Sequence, residues 1–312
     1  MICAPGNAGV ARLRAAEPSE ADAVQAILEA SSAHDDPAAW SRGGWSVAAW
    51  ATHTRVLVLE SRIVGIVAVR AETAPDGAMP ARVALDVSAR HAPLAALLVQ
   101  GGVDLVRESA GERTRLFVPS RAAWIQAAAL EAGFARVRTI AHMLLPATAP
   151  SPEVAANSAF RLRTMRPGEE EHVLAALNRA WAGTWNFVRI PLDMLERDLD
   201  GQREGMLLGA ELDAPDHIIA TCHAVFDPSE QNPDGNPRAW ISNVTVDPDF
   251  RGRGIARTML AAGIESLRAR GATSITLGVD ADNPAPFRLY TSVGFEVSSS
   301  QEAWDKKLPK EQ

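Results

Sequence analysis

The 312-residue sequence has a single tyrosine, two cysteines and only 5 % aromatic residues. It also lacks an excess of positive charge: 38 acidic side chains against 31 basic ones leave a formal net charge of −7. A protein that grips nucleic acid through its phosphates is basic, so that partner is disfavoured, and a basic substrate such as an amine fits better. Cys3 and Cys222 alone build neither a disulfide framework nor a thiolate metal site, and so few thiols suit a reducing compartment. No apolar run approaches the roughly 18 residues that span a bilayer. Residues 1–10 lack the charged-then-apolar order of a signal peptide. The expectation is a soluble, cytoplasmic monomer or homodimer that binds no metal, nucleic acid or membrane. What is present is ordinary: 47 % hydrophobic and 22 % charged residues, over about two domain lengths.

The chain repeats itself. Residues 12–24 read RLRAAEPSEADAV and residues 161–173 read RLRTMRPGEEEHV, an offset of 161 − 12 = 149. Residues 130–137 (LEAGFARV) and 291–297 (TSVGFEV) share Gly-Phe at 133–134 and 294–295, an offset of 161. Two echoes in the same order indicate a duplication. Residues 147–159, ATAPSPEVAANSA, are aperiodic and rich in Ala, Pro and Ser, as a linker is. The expected organisation is therefore 1–146, a linker over 147–159, and 160–312. Each half reads as an α/β sandwich on a mixed sheet. In the second half, strands are expected at 160–164, 205–212, 217–226, 239–246 and 274–279. Helices are expected after Pro167-Gly168, over 254–270 and over 284–293, and a final strand pair from 295 onward.

The segment 244–260, VTVDPDFRGRGIARTML, carries the sharpest chemistry. A strand runs into Arg251-Gly252-Arg253-Gly254, and helical spacing begins at once with Ile255 and Ala256. Such a turn aims successive backbone N–H groups, backed by the helix dipole, at one anion. It is neither a P-loop, which needs Gly-Lys-Ser/Thr, nor a dinucleotide loop, since Arg257 stands where the third glycine belongs. Further on come Asn283 and Tyr290, the only tyrosine. A packing ring could have been Phe, so the hydroxyl points to use, and a phenol near pKa 10 suits protonation of a thiolate.

Arg251-x-x-Gly254-x-Ala256 followed by Asn283 and Tyr290 resembles the GNAT superfamily of N-acetyltransferases. The resemblance covers about 160–308 and is tight over 240–296. It implies acetyl-CoA (coenzyme A) as cofactor, with the pyrophosphate at Arg251, Gly252, Arg253, Gly254, Ile255 and Ala256. It implies that the strand ending in Val244, Thr245 and Val246 splays from its neighbour and holds the pantetheine arm and acetyl carbonyl. Asn283 would contact the arm and Tyr290 would act as general acid. It further implies an acceptor pocket walled by the region around Trp181, Trp185, Asn186 and Phe187, with Ser242 on the splayed strand. Many members place a Glu on that strand, but here it reads Trp240-Ile241-Ser242-Asn243-Val244, with no carboxylate. His223 is the candidate base, directly or through water, and Ser242 and Asn243 could instead orient a water.

In the first half, residues 83–99 contain no glycine, and by the 161 offset Asn283 maps to Ala122 and Tyr290 to Ala129. The first half thus reads as a degenerate copy. The expected activity is acetyl transfer to a primary amine of a small molecule by direct attack in a ternary complex. One alternative is a non-catalytic acyl-CoA-binding module. Another is acetylation of a cysteinyl amine, because tandem copies of this length also resemble mycothiol synthase. That member carries an acid where Trp240 stands and a Tyr where Gly278 stands.

Overall fold

The computed structural model describes residues 2–3, 10–35, 53–70, 74, 76–154, 160–232 and 234–309. They form two compact units, each an α/β assembly on a mixed sheet. The partition is not linear. The first unit takes the described residues through Ala141, then Asp280–Asp282 and the chain from Ser299 onward. The second takes His142–Val279 and Asn283–Ser298.

In the first unit the strands are β1 (Ile2–Cys3), β2 (Val10–Ala15), β3 (Thr54–Leu59), β4 (Arg62–Val69), β5 (Met79–Leu85) and β6 (Arg113–Pro119). They lie in that order and are antiparallel except for β5 and β6. The helices are α1 (Ala21–Asp35), α2 (Ala92–Glu108) and α3 (Ala123–Glu131), and β7 (Ala135–Leu145) leads toward the second half. A last strand was expected to fold as a pair after residue 295. It is instead one unbroken strand, Glu296–Lys307, numbered β13 in chain order. Its residues 301–307 pair antiparallel with β6. The reason is chemical as well as geometric. Arg115 is 1 % exposed, and its guanidinium is answered by Asp305 through two bonds of 2.7 Å, with Asp76 at 2.7 Å. A buried guanidinium needs such partners, and one of them is supplied by the far end of the sequence.

The second unit runs β8 (Phe160–Thr164), α4 (Glu170–Trp181), α5 (Leu192–Leu199), β9 (Met206–Glu211), β10 (Ile218–Gln231), β11 (Pro237–Val246), α6 (Ile255–Ala269), β12 (Ile275–Asp280) and α7 (Pro284–Val293). Its strand order is β12-β11-β10-β9-β8, with β11 and β12 parallel and the others antiparallel. Glu170 and Glu171 stand in the first turn of α4, where the dipole favours them. Val173, Leu177 and Ala180 bury one helical stripe. Val173 and Leu177 meet Met206 and Leu208 of β9 in one apolar cluster with Leu195 and Leu199 of α5. Each such side chain withdrawn from water is worth about 1.5–3 kcal/mol. Helix α6 covers the other face. A Cβ added at Gly263 would meet the Cys222 sulfur at 2.5 Å and Ile241 Cδ1 at 3.1 Å, so glycine lets helix and sheet approach.

The repeated sequence has a repeated job. Arg163 grips Glu169 through two bonds of 2.7 Å, and Glu169 accepts from the Arg166 N–H at 2.7 Å. At the 149 offset, Arg14 grips Glu20, which accepts from the Glu17 N–H at 2.8 Å. The pairs bracket the turns from β2 into α1 and from β8 into α4. The Arg14 bond holds the Glu20 carboxyl down to about 2, and Arg163 lowers Glu169 likewise.

Candidate functional site

The site is built where β11 parts from β12. The two strands register at Trp240 opposite Thr276, and no further pair forms among the described residues. From there to Val246 one edge of β11 offers backbone groups that no β12 partner uses. On its other edge β11 stays paired with β10, but the register slips: His223 faces Asn243 and Ala224 faces Ile241. Ser242 is the extra, exposed residue of a bulge. Bulges re-aim the side chains that follow them. Here Ile241 and Cys222 point to α6, while Asn243 and Thr245 share the opposite face with Thr221 and His223.

Beyond Val246 the chain caps a short turn with Asp247, whose carboxylate accepts from the Asp249 N–H at 2.9 Å. Gly252 and Gly254 follow at φ of +78° and +77°, and Gly254 caps α6 in the left-handed region. A side chain at either position is strained by that backbone. A Cβ placed there would meet nothing within 4 Å. Both glycines therefore border open space at a helix N-terminus, where the first amides have no partner within the helix. Such an open turn with unpaired amides fits a phosphate-bearing cofactor.

Two of the expected assignments are corrected. Arg251 does not stand poised over the turn. Its Nε donates to the Val246 carbonyl at 3.2 Å and its Nη2 to the Ala180 carbonyl at 2.7 Å. It fastens the turn to the strand end and to the last residues of α4. His223 is 2 % exposed, with Nε2 buried and unpartnered, and burial pushes its pKa down to about 4. A neutral, water-excluded imidazole of that basicity does not serve as the general base.

Arg253 donates to the Asp249 carbonyl at 3.1 Å and stacks over Phe250. Tyr290 lies on α7, 8 % exposed, edge-on to Phe295. Burial, reinforced by nearby Cys222, pushes its phenol above the usual range. It therefore keeps its proton at neutral pH. Asn283 precedes α7, is exposed, and makes no side-chain cap. Trp181 ends α4 beside Ala180, the residue that receives Arg251, and is 37 % exposed. Trp185 and Phe187 are partly exposed, and Asn186 takes φ of +60°. Their loop is closed by Asn178, which accepts from the Ile190 N–H at 2.8 Å and donates to its carbonyl at 3.0 Å.

The sequence reading missed a buried hydroxyl pair. Thr221 donates to Asn243 Oδ1 at 2.9 Å, and the Thr221 and Thr245 hydroxyls lie 2.7 Å apart. Threonines within the buried stretches of two strands were a signal, but only the register brings them together. Arg179, joined to Asp247 at 2.6 Å and to Asp249, was likewise unread. Among the described residues no group of side chains could hold a metal, and no helix is long and apolar enough to cross a membrane.

Residues 171–295 match the Acetyltransferase (GNAT) family. Its fold is that of a GNAT acetyltransferase from Sphaerobacter thermophilus: TM-score 0.74 at 21 % identity, over 95 % of each chain. Among curated relatives it is similar to the mycothiol acetyltransferase of Thermobispora bispora, 35 % identical over 54 % of this chain and 58 % of the relative. The match thus spans under two thirds of that relative's length. Similarity to the mycothiol acetyltransferase of Thermomonospora curvata is 28 %, over 87 % of this chain and 89 % of the relative.

Proposed function

We propose that the chain is an acetyl-CoA-dependent N-acetyltransferase acting on a primary amine of a small molecule by direct attack in a ternary complex. The observation that carries this is the pair of left-handed glycines opening α6 onto empty space, beside a strand edge without a partner. When bound, acetyl-CoA supplies an activated acetyl group. The backbone amides of Gly252 to Ala256 take up the negative charge of the pyrophosphate, with Arg253 adding charge nearby. The free edge of Val244, Thr245 and Val246 supplies donors for the cofactor arm and for an acyl oxygen. The uncommitted amide of Asn283 serves the same arm. Tyr290 holds a proton that a departing thiolate can take. Cys222 stays a thiol, since burial raises it to about 12, so it does not compete as an acyl acceptor. With His223 neutral and closed off, the amine must reach the site already deprotonated or lose its proton to water.

The acceptor enters along the face of Trp181, Trp185, Asn186, Phe187 and Ser242. The protein works in the cytoplasm as a monomer or homodimer, with no nucleic-acid or membrane partner. A thiol-release screen over a panel of primary amines, run beside calorimetry with acetyl-CoA, tests the reading. Turnover with an amine and one cofactor per chain is expected. Tight binding with no turnover on any amine would leave a non-catalytic acyl-CoA-binding module.

A cysteinyl amine is the second reading, supported by the similarity to mycothiol acetyltransferases along most of the chain. Two positions speak against it. Trp240 lies under the Arg238 guanidinium, 4.3 Å from its ring centre, and Arg238 is paired with Glu230. Gly278 is exposed, with open space where a side chain would project. Including a cysteinyl amide in the panel separates the two readings.

A further inference from the structure

We propose that Asn243 selects the acceptor: its Nδ2 donates a hydrogen bond to an oxygen carried by the amine substrate. The favoured acceptors are then primary amines with a carbonyl or hydroxyl oxygen close to the amino group. This rests on the transferase reading of the same site.

The bulge at Ser242 starts the argument. It turns Asn243 onto the α4 and α5 face of the sheet, next in sequence to the free edge that begins at Val244. There the Asn243 amide is held one way round. Its Oδ1 accepts the only proton of the Thr221 hydroxyl, so Thr221 must in turn accept from Thr245. The chain Thr245 to Thr221 to Asn243 uses every hydroxyl proton. Run in reverse, it would leave the Thr245 proton without an acceptor among the described residues. Thr221 and Thr245 are 0 % and 6 % exposed, so this order is sheltered from water. Asn243 is partly exposed, and its Nδ2 makes no hydrogen bond to the described residues.

The first half serves as an internal control. At the same ladder positions it has Ile66 opposite Ala84 and Ala68 opposite Arg82. No hydroxyl relay and no amide stand there, in the half that also lacks the glycine turn. The polar set occurs only where the candidate site is. An amide cannot accept a proton from an ammonium, so Asn243 is not the missing base. Thr221 and Thr245 are positioning residues, and they act through it.

The experiment compares three amines of similar length: an alkylamine, an amino alcohol and an α-amino amide. For wild type, kcat/KM for the two oxygen-bearing amines should exceed that for the alkylamine by about tenfold or more. Asn243→Ala should remove that preference by lowering the two far more than the alkylamine. Thr221→Val, checked for folding by its melting curve, should raise KM for the oxygen-bearing amines with little change in kcat. Equal losses on all three amines, or no loss, would overturn the proposal. Calorimetric binding of the same amines to wild type and Asn243→Ala keeps the two readings apart. Oxygen-dependent binding without thiol release would sink the transferase reading and support this one. Thiol release without oxygen preference would do the reverse.

Discussion

Asp86 in the first half and Asp247 in the second begin the same turn. Their backbone angles agree within about a degree, −50° and 133° against −49° and 132°, and each carboxylate caps a short turn two residues on. Arg90 and Arg251 follow at the same 161 offset. Each sends Nε to a carbonyl five residues back, Leu85 at 3.4 Å and Val246 at 3.2 Å. Each sends its head to the end of the first helix of its half. Arg90 reaches Asp35 at 2.6 and 2.9 Å, and Arg251 reaches the Ala180 carbonyl. Then the halves diverge. The first enters α2 directly from His91, while the second inserts its left-handed glycines before α6. At the far end the register holds again. The Phe134 N–H bonds the Ala129 carbonyl as the Phe295 N–H bonds that of Tyr290. An arginine kept in the half without a glycine turn is explained by the fold, whereas the glycines and Tyr290, absent there, are what the proposed cofactor site requires.

The largest effect expected is on the glycines. Gly254→Val places a branched side chain at φ of +77° and fills the cradle. Acetyl-CoA binding, measured by calorimetry, should fall by at least about a hundredfold while the melting temperature drops by only a few degrees. Titration of the wild type should give one site per chain. Two equal sites would break the contrast between the halves.

Next comes Tyr290→Phe, which makes the second half resemble Ala129 in chemistry but not in packing. In the proposed role the hydroxyl acts as the thiolate departs, so the loss belongs in kcat, about tenfold to a thousandfold, with acetyl-CoA affinity nearly unchanged. Steady-state kinetics with the best acceptor decide it. A kcat within about twofold of wild type, without a pre-steady-state burst, would remove the acid role.

The paired arginines sharpen the comparison further. Arg90→Ala strands Asp35, 4 % exposed, without its bidentate partner and should cost about 3 kcal/mol. Arg251→Ala loses two bonds to backbone carbonyls from an exposed side chain and should cost about 1 kcal/mol. Chemical denaturation gives both numbers. For Arg251→Ala, acetyl-CoA affinity should fall less than about fivefold. A hundredfold loss with unchanged stability would return Arg251 to the phosphate.

Much of this contrast was legible before any coordinates. Glycine and proline punctuation located α6 and α7 to within a residue, because left-handed backbone and helix starts leave local marks. The glycine loop, Asn283 and Tyr290 stand out in the sequence because each has a fixed neighbour there. The errors were all non-local. Nothing near residue 305 says that Asp305 answers Arg115, so the last strand was read as a local pair. A histidine in an apolar strand looks the same whether it opens on a cleft or on the backbone of Gln202. Arg251 sits in a glycine turn, and only the carbonyl of Ala180, 71 residues earlier, shows where its charge is spent.

The smallest effect tests that histidine. At the ladder position where the second half has His223 opposite Asn243 the first half has Ala68 opposite Arg82, so a buried imidazole stands only in the second half of this pair. Burial lowers the folded-state pKa of His223 from 6.5 to about 4. The unfolded chain therefore takes up a proton as pH falls below 6.5, and the folded protein does so only near 4. Stability from the neutral, buried ring is fully present above pH 6.5 and is lost as pH falls toward 4, by an amount of order 3 kcal/mol. The paired carboxylates act lower. Glu20 titrates near 2 in the folded state, so its contribution fades below the range where His223 acts. Urea unfolding of wild type and His223→Leu between pH 7.5 and 4.5 isolates the group. The wild-type curve should fall more steeply than that of the variant across this window, and the two should converge in slope above pH 7. Parallel curves throughout would mean that the ring is solvated and protonates freely, and would reopen its use as a base.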